Sequence, residues 1–265
     1  MASYSANMNV MMGAARKAAV RLKRDYGEVD QLQVSRKGPA DFVTAADIRT
    51  EKILREELGR ARPDFGFLME ESGEEAGSDA AKRWIVDPVD GTTNFVHGIA
   101  HFAISIALEE DGELTAGIVF DPINELMFSA EKGAGAMLND RRIRVSARQS
   151  LAESLFATGI PFKGRKGQDN FLPAMEAVMN HSAGIRRFGS AALDLAYVAA
   201  GRYEGYWENG LQAWDIAAGI VLVREAGGLV SEVNGGSGML SSGSILAATP
   251  ALHGTLGNLV RRGEP

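Results

Sequence analysis

Apolar residues recur at helical spacing in the first part of the chain. Methionine, alanine and leucine repeat at three- and four-residue intervals there, which predicts an amphipathic helix near Ser5–Tyr26. A short hairpin-like region is expected around Leu32–Val43. A second helix is expected near Ala46–Arg60, where Leu54 and Leu58 share one face. The first 60 residues therefore predict two helices flanking a hairpin.

Farther along, the spacing changes to the alternation of β-strands separated by turn residues. An Asp-Gly pair divides two alternating segments, which is typical of a tight hairpin. We therefore expect helices layered on a mostly antiparallel sheet up to about residue 146. The strands expected in it are Phe65–Glu70, Arg83–Asp87, Phe102–Leu108, Leu114–Phe120, Leu126–Ala130 and Ala136–Leu138.

The second half of the chain alternates strands with longer helical patterns. This arrangement indicates an α/β (α+β) layered sandwich, in which helices cover the faces of sheets. We expect an N-terminal α+β half over residues 1–146 and a C-terminal α/β half over residues 147–265, with the active site between them. The expected strands are Ser154–Thr158, Leu229–Val233 and Ser244–Ala248, and the expected helices are Asn170–Val178, Ala191–Ala200, Asp215–Ala226 and Ala251–Arg261.

Composition excludes several classes of site and partner. The 265 residues carry a net charge of −6 and include no cysteine, which excludes disulfides, thiol nucleophiles and cysteine-ligated metals. An acidic chain gives no reason to expect a nucleic acid or an anionic membrane as a direct partner. No secretory signal is visible and no apolar run approaches the roughly 20 residues that span a bilayer. We therefore expect a cytoplasmic protein.

Five acidic residues lie where predicted elements begin or end. Side chains at such positions meet at the mouth of a crevice in layered α/β proteins. Converging carboxylates repel one another unless a cation neutralises them, and oxygen ligands favour Mg²⁺ over zinc. The five are Asp47, Glu70, Asp87, Asp90 and Asp215.

The segment Asp87-Pro88-Val89-Asp90-Gly91-Thr92-Thr93 holds two of these acids on a predicted turn. Pro88 restricts the backbone, Gly91 allows close approach to a bound group, and the Val89 carbonyl is a further candidate ligand. A helix beginning after Gly91 would direct N–H groups at a phosphate. Each piece also has an ordinary structural interpretation, because Asp-Pro and Asp-Gly are common turn pairs and Asp215 suits a helix N-cap.

These residues resemble the motifs of the inositol monophosphatase family. The resemblance extends over nearly the whole chain and rests on five blocks: Lys37–Asp47, Glu70–Gly73, Trp84–Phe95, Trp214–Gly219 and Glu225–Gly228. It implies alternating helix and sheet layers in the order αβαβα and hydrolysis of a phosphomonoester by metal-activated water. The Asp-x-Asp-x-Thr motif of phospho-aspartate phosphatases does not fit, because the two acids here are three residues apart.

The same resemblance implies a set of metal ligands. Glu70, Asp87 and the Val89 carbonyl would hold one Mg²⁺, and Asp87, Asp90 and Asp215 a second. A third, weaker Mg²⁺ would share Glu70, and Mn²⁺ is a possible substitute. Members of the family are typically sensitive to lithium, so inhibition by Li⁺ is implied as well.

Further roles follow from the resemblance for water and substrate. Thr92 and Asp47 would form a hydrogen-bonded pair near the attacking water, with Glu70 as the third catalytic residue. Gly91 and Thr92 would contact the phosphate, and Asp90 and Asp215 would be further substrate-binding residues. The residues implied to contact its alcohol part are Gly189, Ser190, Ala191 and Glu208.

Substrate and partners are less closely specified. The leading hypothesis is myo-inositol 1-phosphate, because a carboxylate such as Glu208 can accept hydrogen bonds from vicinal hydroxyls. Fructose 1,6-bisphosphate, histidinol phosphate and 3′-phosphoadenosine 5′-phosphate stay open. Family likeness also implies a homodimer, with Arg186 and Arg187 near the contact. Likeness to bacterial members suggests an additional non-enzymatic role as a transcription antitermination partner.

Overall fold

The computed structural model describes residues 4–29, 34–38, 41–161 and 168–261. Within those ranges no helix is both long and apolar enough to cross a membrane. The helices are α1 (Ala6–Gly27), α2 (Ala45–Ala61), α3 (Thr92–Val96), α4 (Gln168–Met179), α5 (Ala191–Ala199), α6 (Ala213–Glu225), α7 (Met239–Ser242) and α8 (His253–Arg261).

Two strands, β1 (Val34–Gly38) and β2 (Asp41–Thr44), form a separate antiparallel hairpin. It corresponds to the predicted Leu32–Val43 hairpin, of which residues 32–33 and 39–40 lie outside the described ranges.

The first large sheet has eight strands in the order β10-β9-β8-β7-β6-β5-β3-β4. All neighbours are antiparallel except β3 and β5, as the sequence predicted for this half. Its strands are β3 (Phe65–Met69), β4 (Gly73–Glu75), β5 (Asp79–Asp90), β6 (Ala103–Glu110), β7 (Glu113–Asp121), β8 (Leu126–Glu131), β9 (Gly135–Leu138) and β10 (Arg141–Ile143).

The second large sheet has five strands in the order β12-β11-β13-β15-β14. Strand β11 runs parallel to both of its neighbours, and β15 runs antiparallel to both of its own. The strands are β11 (Leu155–Thr158), β12 (Gly184–Arg186), β13 (Gly205–Glu208), β14 (Leu229–Ser231) and β15 (Ile245–Ala248).

Three apolar clusters show how these elements are layered. One cluster packs α1 and α2 on the outer face of the eight-stranded sheet, and another packs α4 and α8 on the outer face of the five-stranded sheet. The largest contains α5 and α6 together with residues of both sheets. The order is therefore helix, sheet, helix, sheet, helix, which confirms the predicted αβαβα sandwich.

Helix α6 lies at the centre of the molecule, and eight of its consecutive residues, 216–223, are buried. It approaches the eight-stranded sheet closely at Gly117 of β7. A Cβ atom there would lie 2.7 Å from the Ala218 carbonyl oxygen, so only glycine allows this contact. The central core contains residues from both sides of position 146. The division of the chain into two halves at that position stays a prediction.

One local prediction was wrong. Strand β5 does not end at Asp87 in a proline turn; it continues to Asp90 with an irregularity in its pairing between those two residues. Pro88 has no N–H for the ladder, so pairing is interrupted there and resumes at Asp90. The alternative interpretation of Asp215 as a helix N-cap does not hold either, because Gln212 occupies that position and Asp215 is the third residue of α6.

Candidate functional site

The first part of the site lies where the parallel strands β3 and β5 end together. Their register pairs Met69 with Val86, so the next residues, Glu70 and Asp87, lie side by side at one edge of the sheet. The Glu70 amide donates to the Val86 carbonyl at 3.2 Å, which extends the pairing to the site itself. Asp87 is 2% exposed, and its Oδ1 accepts from the Val89 amide at 2.8 Å.

Asp215 reaches the same place from the second half of the chain. Ser105 of β6 is the register partner of Asp87, and its hydroxyl lies 3.3 Å from the Trp214 carbonyl oxygen. This contact attaches the first turn of α6 beside Asp87. Asp215 follows Trp214, and its Oδ2 accepts from the Gln212 amide at 2.7 Å.

Asp87, Asp90 and Asp215 converge. Each offers a carboxylate oxygen, and those oxygens all lie within 4.8 Å of one another. Burial raises the pKa of Asp87 well above its ordinary value, and the charges of Glu70, Asp90 and Asp215 raise it further. Three carboxylates held this close in a buried place repel one another strongly.

This donor set fits a hard divalent cation. The ligand atoms are carboxylate oxygens, with the Glu70 carboxylate and the Val89 residue lining the same cavity. Burial and the neighbouring carboxylates disfavour the charged form of Asp87 and raise its pKa, and a bound cation would relieve this. The cluster can therefore hold a metal ion.

Asp90 joins the two halves of the chain. Its Oδ2 accepts from the Ser190 hydroxyl and, at 2.9 Å, from the Ala192 amide at the start of α5. Burial raises the pKa of Asp90 to about 7, although these two hydrogen bonds oppose the rise. Ser190, predicted to contact the alcohol, is thus also the N-cap of α5 and a partner of Asp90.

Thr92 and Asp47 are brought together as predicted for them. The Thr92 hydroxyl lies 3.0 Å from Asp47 Oδ1 and 3.0 Å from the Val89 carbonyl oxygen, so it can donate to either. Asp47 also accepts from the amide and the hydroxyl of Thr44 in a capping box that begins α2. Burial raises the pKa of Asp47, and the hydrogen bonds from Thr44 and Thr92 counteract this.

Gly91 lets the chain turn from β5 into α3. Its φ of 98° lies in the left-handed region, and a Cβ atom would lie 3.1 Å from the His101 carbonyl oxygen and 3.3 Å from that of Gly189. A side chain would therefore meet both backbone strain and two carbonyl groups. The predicted helix after Gly91 is confirmed as the short helix α3, with Thr92 as its first residue.

These residues line one cavity of about 150 Å³ between the two halves. Asp47 is not among the lining residues; it reaches the cavity through Thr92. Every other predicted metal or substrate residue lines it, together with Arg187, which the sequence assigned only to assembly. The predicted residues in the lining are Glu70, Asp87, Val89, Asp90, Gly91, Thr92, Gly189, Ser190, Ala191, Glu208 and Asp215.

Asn94 was missed by the sequence interpretation. Its side-chain amide lies 2.8 Å from the His101 carbonyl oxygen and 2.7 Å from that of Phe188, so it donates to both. It thereby attaches α3 to the segment that precedes Gly189. Asn94 lies within the Trp84–Phe95 block, but only the fold shows that its partners lie 7 and 94 residues away.

Comparison with known proteins adds an independent finding. The chain matches the inositol monophosphatase family over residues 4–263. The inositol-1-monophosphatase of Rhizobium meliloti is 53% identical over 261 residues, 98% of each chain. The Nus factor SuhB of Pasteurella multocida is 45% identical over 249 residues, 92% of each chain. The crystal structure of extragenic suppressor protein suhB from Bartonella henselae has a TM-score of 0.95 and 54% identity, covering 98% of this chain and 100% of that one.

Proposed function

The chain belongs to the inositol monophosphatase family and is a phosphoric monoester hydrolase, and on this basis we propose that it hydrolyses a small polyol phosphate with Mg²⁺. The substrate that the site supports best is myo-inositol 1-phosphate. The name of the Rhizobium meliloti relative agrees with that choice. The observation that carries the proposal is the group of three carboxylates, Asp87, Asp90 and Asp215, in a cavity whose lining also includes Glu208.

The proposed metal ligands are the acids of this group with Glu70 and the Val89 carbonyl. Bound among them, Mg²⁺ would neutralise charge on the phosphate, activate water and stabilise the leaving alkoxide. Mn²⁺ offers the same coordination preference, so we expect it to substitute. Inhibition by Li⁺ is expected from the family resemblance.

Thr92 would orient the attacking water. When its hydroxyl donates to Asp47 Oδ1, its oxygen lone pairs are left to accept a hydrogen bond from water in the cavity. Glu70 lines the same cavity and would accept the proton that this water releases. The buried Asp47 stays hydrogen-bonded throughout, so it acts by positioning Thr92. No residue of the chain is phosphorylated in this scheme.

Glu208 would select the alcohol. A carboxylate in the cavity lining can accept hydrogen bonds from polyol hydroxyls. Gly189 and Ala191 would contact the same part of the substrate, with Arg187 nearby as a cation for the phosphate end. Fructose 1,6-bisphosphate, histidinol phosphate and 3′-phosphoadenosine 5′-phosphate remain alternatives that use the same acids.

The experiment is a phosphate-release assay with Asp90→Asn. Steady-state rates are measured on myo-inositol 1-phosphate and the three alternatives, with Mg²⁺, Mn²⁺, Mg²⁺ plus Li⁺, and EDTA. We expect a loss on the order of a thousandfold in Asp90→Asn, as for removal of a principal electrostatic group from an active site. Full activity in EDTA contradicts the metal requirement, and equal rates on all four substrates contradict selection of the polyol.

Asp194→Asn is the matched control. Asp194 is buried like Asp90, but it lies on α5 and is not one of the converging acids. Burial raises the pKa of Asp194 well above its ordinary value, which favours the neutral form, and asparagine has nearly the same size as the aspartic acid it replaces. We expect this variant to keep near wild-type activity.

A second role, in transcription, is favoured by one observation. A relative named Nus factor SuhB aligns with 92% of this chain. The proposed test uses Asp90→Asn in cells that lack the native gene. A transcription phenotype rescued by this variant would show that the second role does not need hydrolysis, and failure of both Asp90→Asn and wild type to rescue would exclude it.

A further inference from the structure

Tyr206 makes a direct contact with the carboxylate assigned to substrate selection. It precedes Glu208 by two residues on β13, so both side chains lie on the same face of the sheet. The Tyr206 hydroxyl donates to Glu208 Oε2 at 2.5 Å. Tyr206 is itself fully buried, which leaves its hydroxyl few alternative positions.

Gly159 provides the space in which the Glu208 carboxyl lies. Strands β11 and β13 are parallel neighbours with Thr158 paired to Trp207, so the residues that follow, Gly159 and Glu208, are adjacent. A Cβ atom on Gly159 would overlap the carboxyl carbon and both carboxyl oxygens of Glu208. The observed position of this carboxylate therefore requires glycine at position 159.

The hydroxyl of Tyr206 remains a donor over the physiological pH range. Burial raises the pKa of Tyr206 well above its ordinary value, and the nearby charges of Glu208 and Asp194 raise it further. A protonated phenol can donate one hydrogen bond, and Glu208 Oε2 is the acceptor that the structure places there.

We propose that Tyr206 and Gly159 are positioning residues that hold the Glu208 carboxylate in one orientation, and so set the preference for polyol phosphates. The inference rests on the proposed function of Glu208. A carboxylate already held in place loses less side-chain freedom when the substrate binds, so its hydrogen bonds contribute more to selectivity. Neither residue is one of the acids that would hold the metal.

The test compares two substrates in two pairs of variants. Tyr206→Phe removes only the hydroxyl, and Tyr203→Phe is its control, because the buried Tyr203 hydroxyl has no hydrogen-bond partner in the described ranges. Gly159→Ala adds a methyl group, and Gly254→Ala is its control, since a Cβ at Gly254 meets nothing within 4 Å. kcat and KM are measured on myo-inositol 1-phosphate and on p-nitrophenyl phosphate, which has no vicinal hydroxyls.

We expect Tyr206→Phe and Gly159→Ala each to lower the ratio of kcat/KM, polyol over aryl phosphate, by about tenfold, the size of one hydrogen bond to a charged group. Most of the change should lie in KM for the polyol. The two controls should leave this ratio within about twofold of wild type, a shift too small to represent a lost hydrogen bond. An unchanged ratio in Tyr206→Phe, or an equal loss on both substrates, overturns the proposal.

A crystal structure of Tyr206→Phe separates this inference from the proposed function. We expect the Glu208 carboxylate to rotate away from its wild-type position or to occupy more than one. If it keeps a single wild-type orientation, Tyr206 does not position it, whatever the enzyme hydrolyses. If the carboxylate moves while wild type releases no phosphate from the polyol, the positioning is upheld and the proposed substrate is wrong.

Discussion

The two sides of the cavity are built in different ways. One side is the acidic segment, which we define as residues 87–93, and it carries Asp87, Asp90 and Thr92 within one stretch of chain. The other is the substrate wall, which we define as Gly159, residues 189–191, Tyr206 and Glu208, and it is assembled from three separate stretches. Charge is concentrated on the first side, whereas the second depends on shape and on one oriented carboxylate.

Catalysis and substrate selectivity depend on different sides of the cavity. Converging carboxylates repel each other over several ångströms, so the acidic segment influences every acid around it. The substrate wall acts through direct contacts, such as the hydrogen bond from the Tyr206 hydroxyl to Glu208. Such a contact is short-ranged and directional, so it acts on the group that it touches. We therefore expect changes in the acidic segment to affect all substrates and changes in the wall to affect their ranking.

Asp87→Asn should produce the largest effect. It removes the carboxylate at the start of the acidic segment but keeps an oxygen for the Val89 amide. We expect a loss on the order of a thousandfold in kcat on both polyol and aryl phosphates. In EDTA at neutral pH the same variant should be more stable than wild type, because the carboxylate whose pKa is raised by burial and by its neighbours' charges is gone.

Urea unfolding with EDTA and with saturating Mg²⁺ checks the second half of this prediction. Wild type should be stabilised by Mg²⁺ much more than Asp87→Asn, since the metal relieves repulsion among the acids. A variant that loses activity and is also less stable in EDTA would show that Asp87 is a structural residue rather than a strained ligand.

The sequence predicted the acidic segment much better than the wall, and the reason is physical. Asp87 and Asp90 were predicted as neighbours because only two residues separate them on one stretch of chain. In a regular strand they would point to opposite faces, and the irregularity between them in the pairing with β6 puts both on one face. The layered fold also followed from local periodicity. Gly159 and Tyr206 were not identified, because their importance depends on the pairing of β11 with β13, and β13 itself was not predicted.

The predicted turn at Pro88 shows a second limit of local patterns. Asp-Pro and Asp-Gly favour turns in isolated chains, but β6 pairs with β5 on both sides of the proline and keeps it extended. Tertiary pairing outweighed the local preference here. Asp87, Asp90 and Asp215 converge all the same, so their proximity was predicted correctly from an incorrect local structure.

The free energy of unfolding should depend on pH through Asp90, which belongs to the acidic segment. The pKa of Asp90 is about 7 in the folded, metal-free protein, against an ordinary value of 3.8. A pKa raised by folding contributes stability that is fully present at low pH and is lost as pH rises through about 7. Metal-free wild type should therefore lose stability relative to Asp90→Asn, by up to about 1.4 kcal/mol per pH unit below pH 7.

Urea unfolding in EDTA at pH 5, 6, 7 and 8 measures this slope for both proteins. With Mg²⁺ the sign should reverse, because the cation binds only the deprotonated carboxylates and so stabilises the fold as pH rises. Parallel stability curves for wild type and Asp90→Asn in EDTA would mean that Asp90 titrates alike in the folded and unfolded chains.

Asn94→Ala should have the smallest effect of the three. It leaves the acids in place but removes the amide that attaches α3 to the segment before Gly189, so the His101 and Phe188 carbonyl groups lose a donor. We expect about 1–3 kcal/mol of stability to be lost. Because Asn94 joins the two sides rather than belonging to one, kcat/KM should fall about tenfold on polyol and aryl phosphates alike.

Asn9→Ala is the matched control, since the Asn9 amide also donates to two backbone carbonyl groups, those of Tyr4 and Ser5, at the exposed start of α1. It should leave both rates unchanged. Equal losses of kcat/KM on the two substrates in Asn94→Ala, together with a changed ratio in Tyr206→Phe, would distinguish the two roles. The contact made by Asn94 would then affect both substrates alike, and the substrate wall would affect the preference between them. A changed ratio in Asn94→Ala would instead place the segment before Gly189 among the determinants of substrate choice, and the division between the two sides would have to be redrawn.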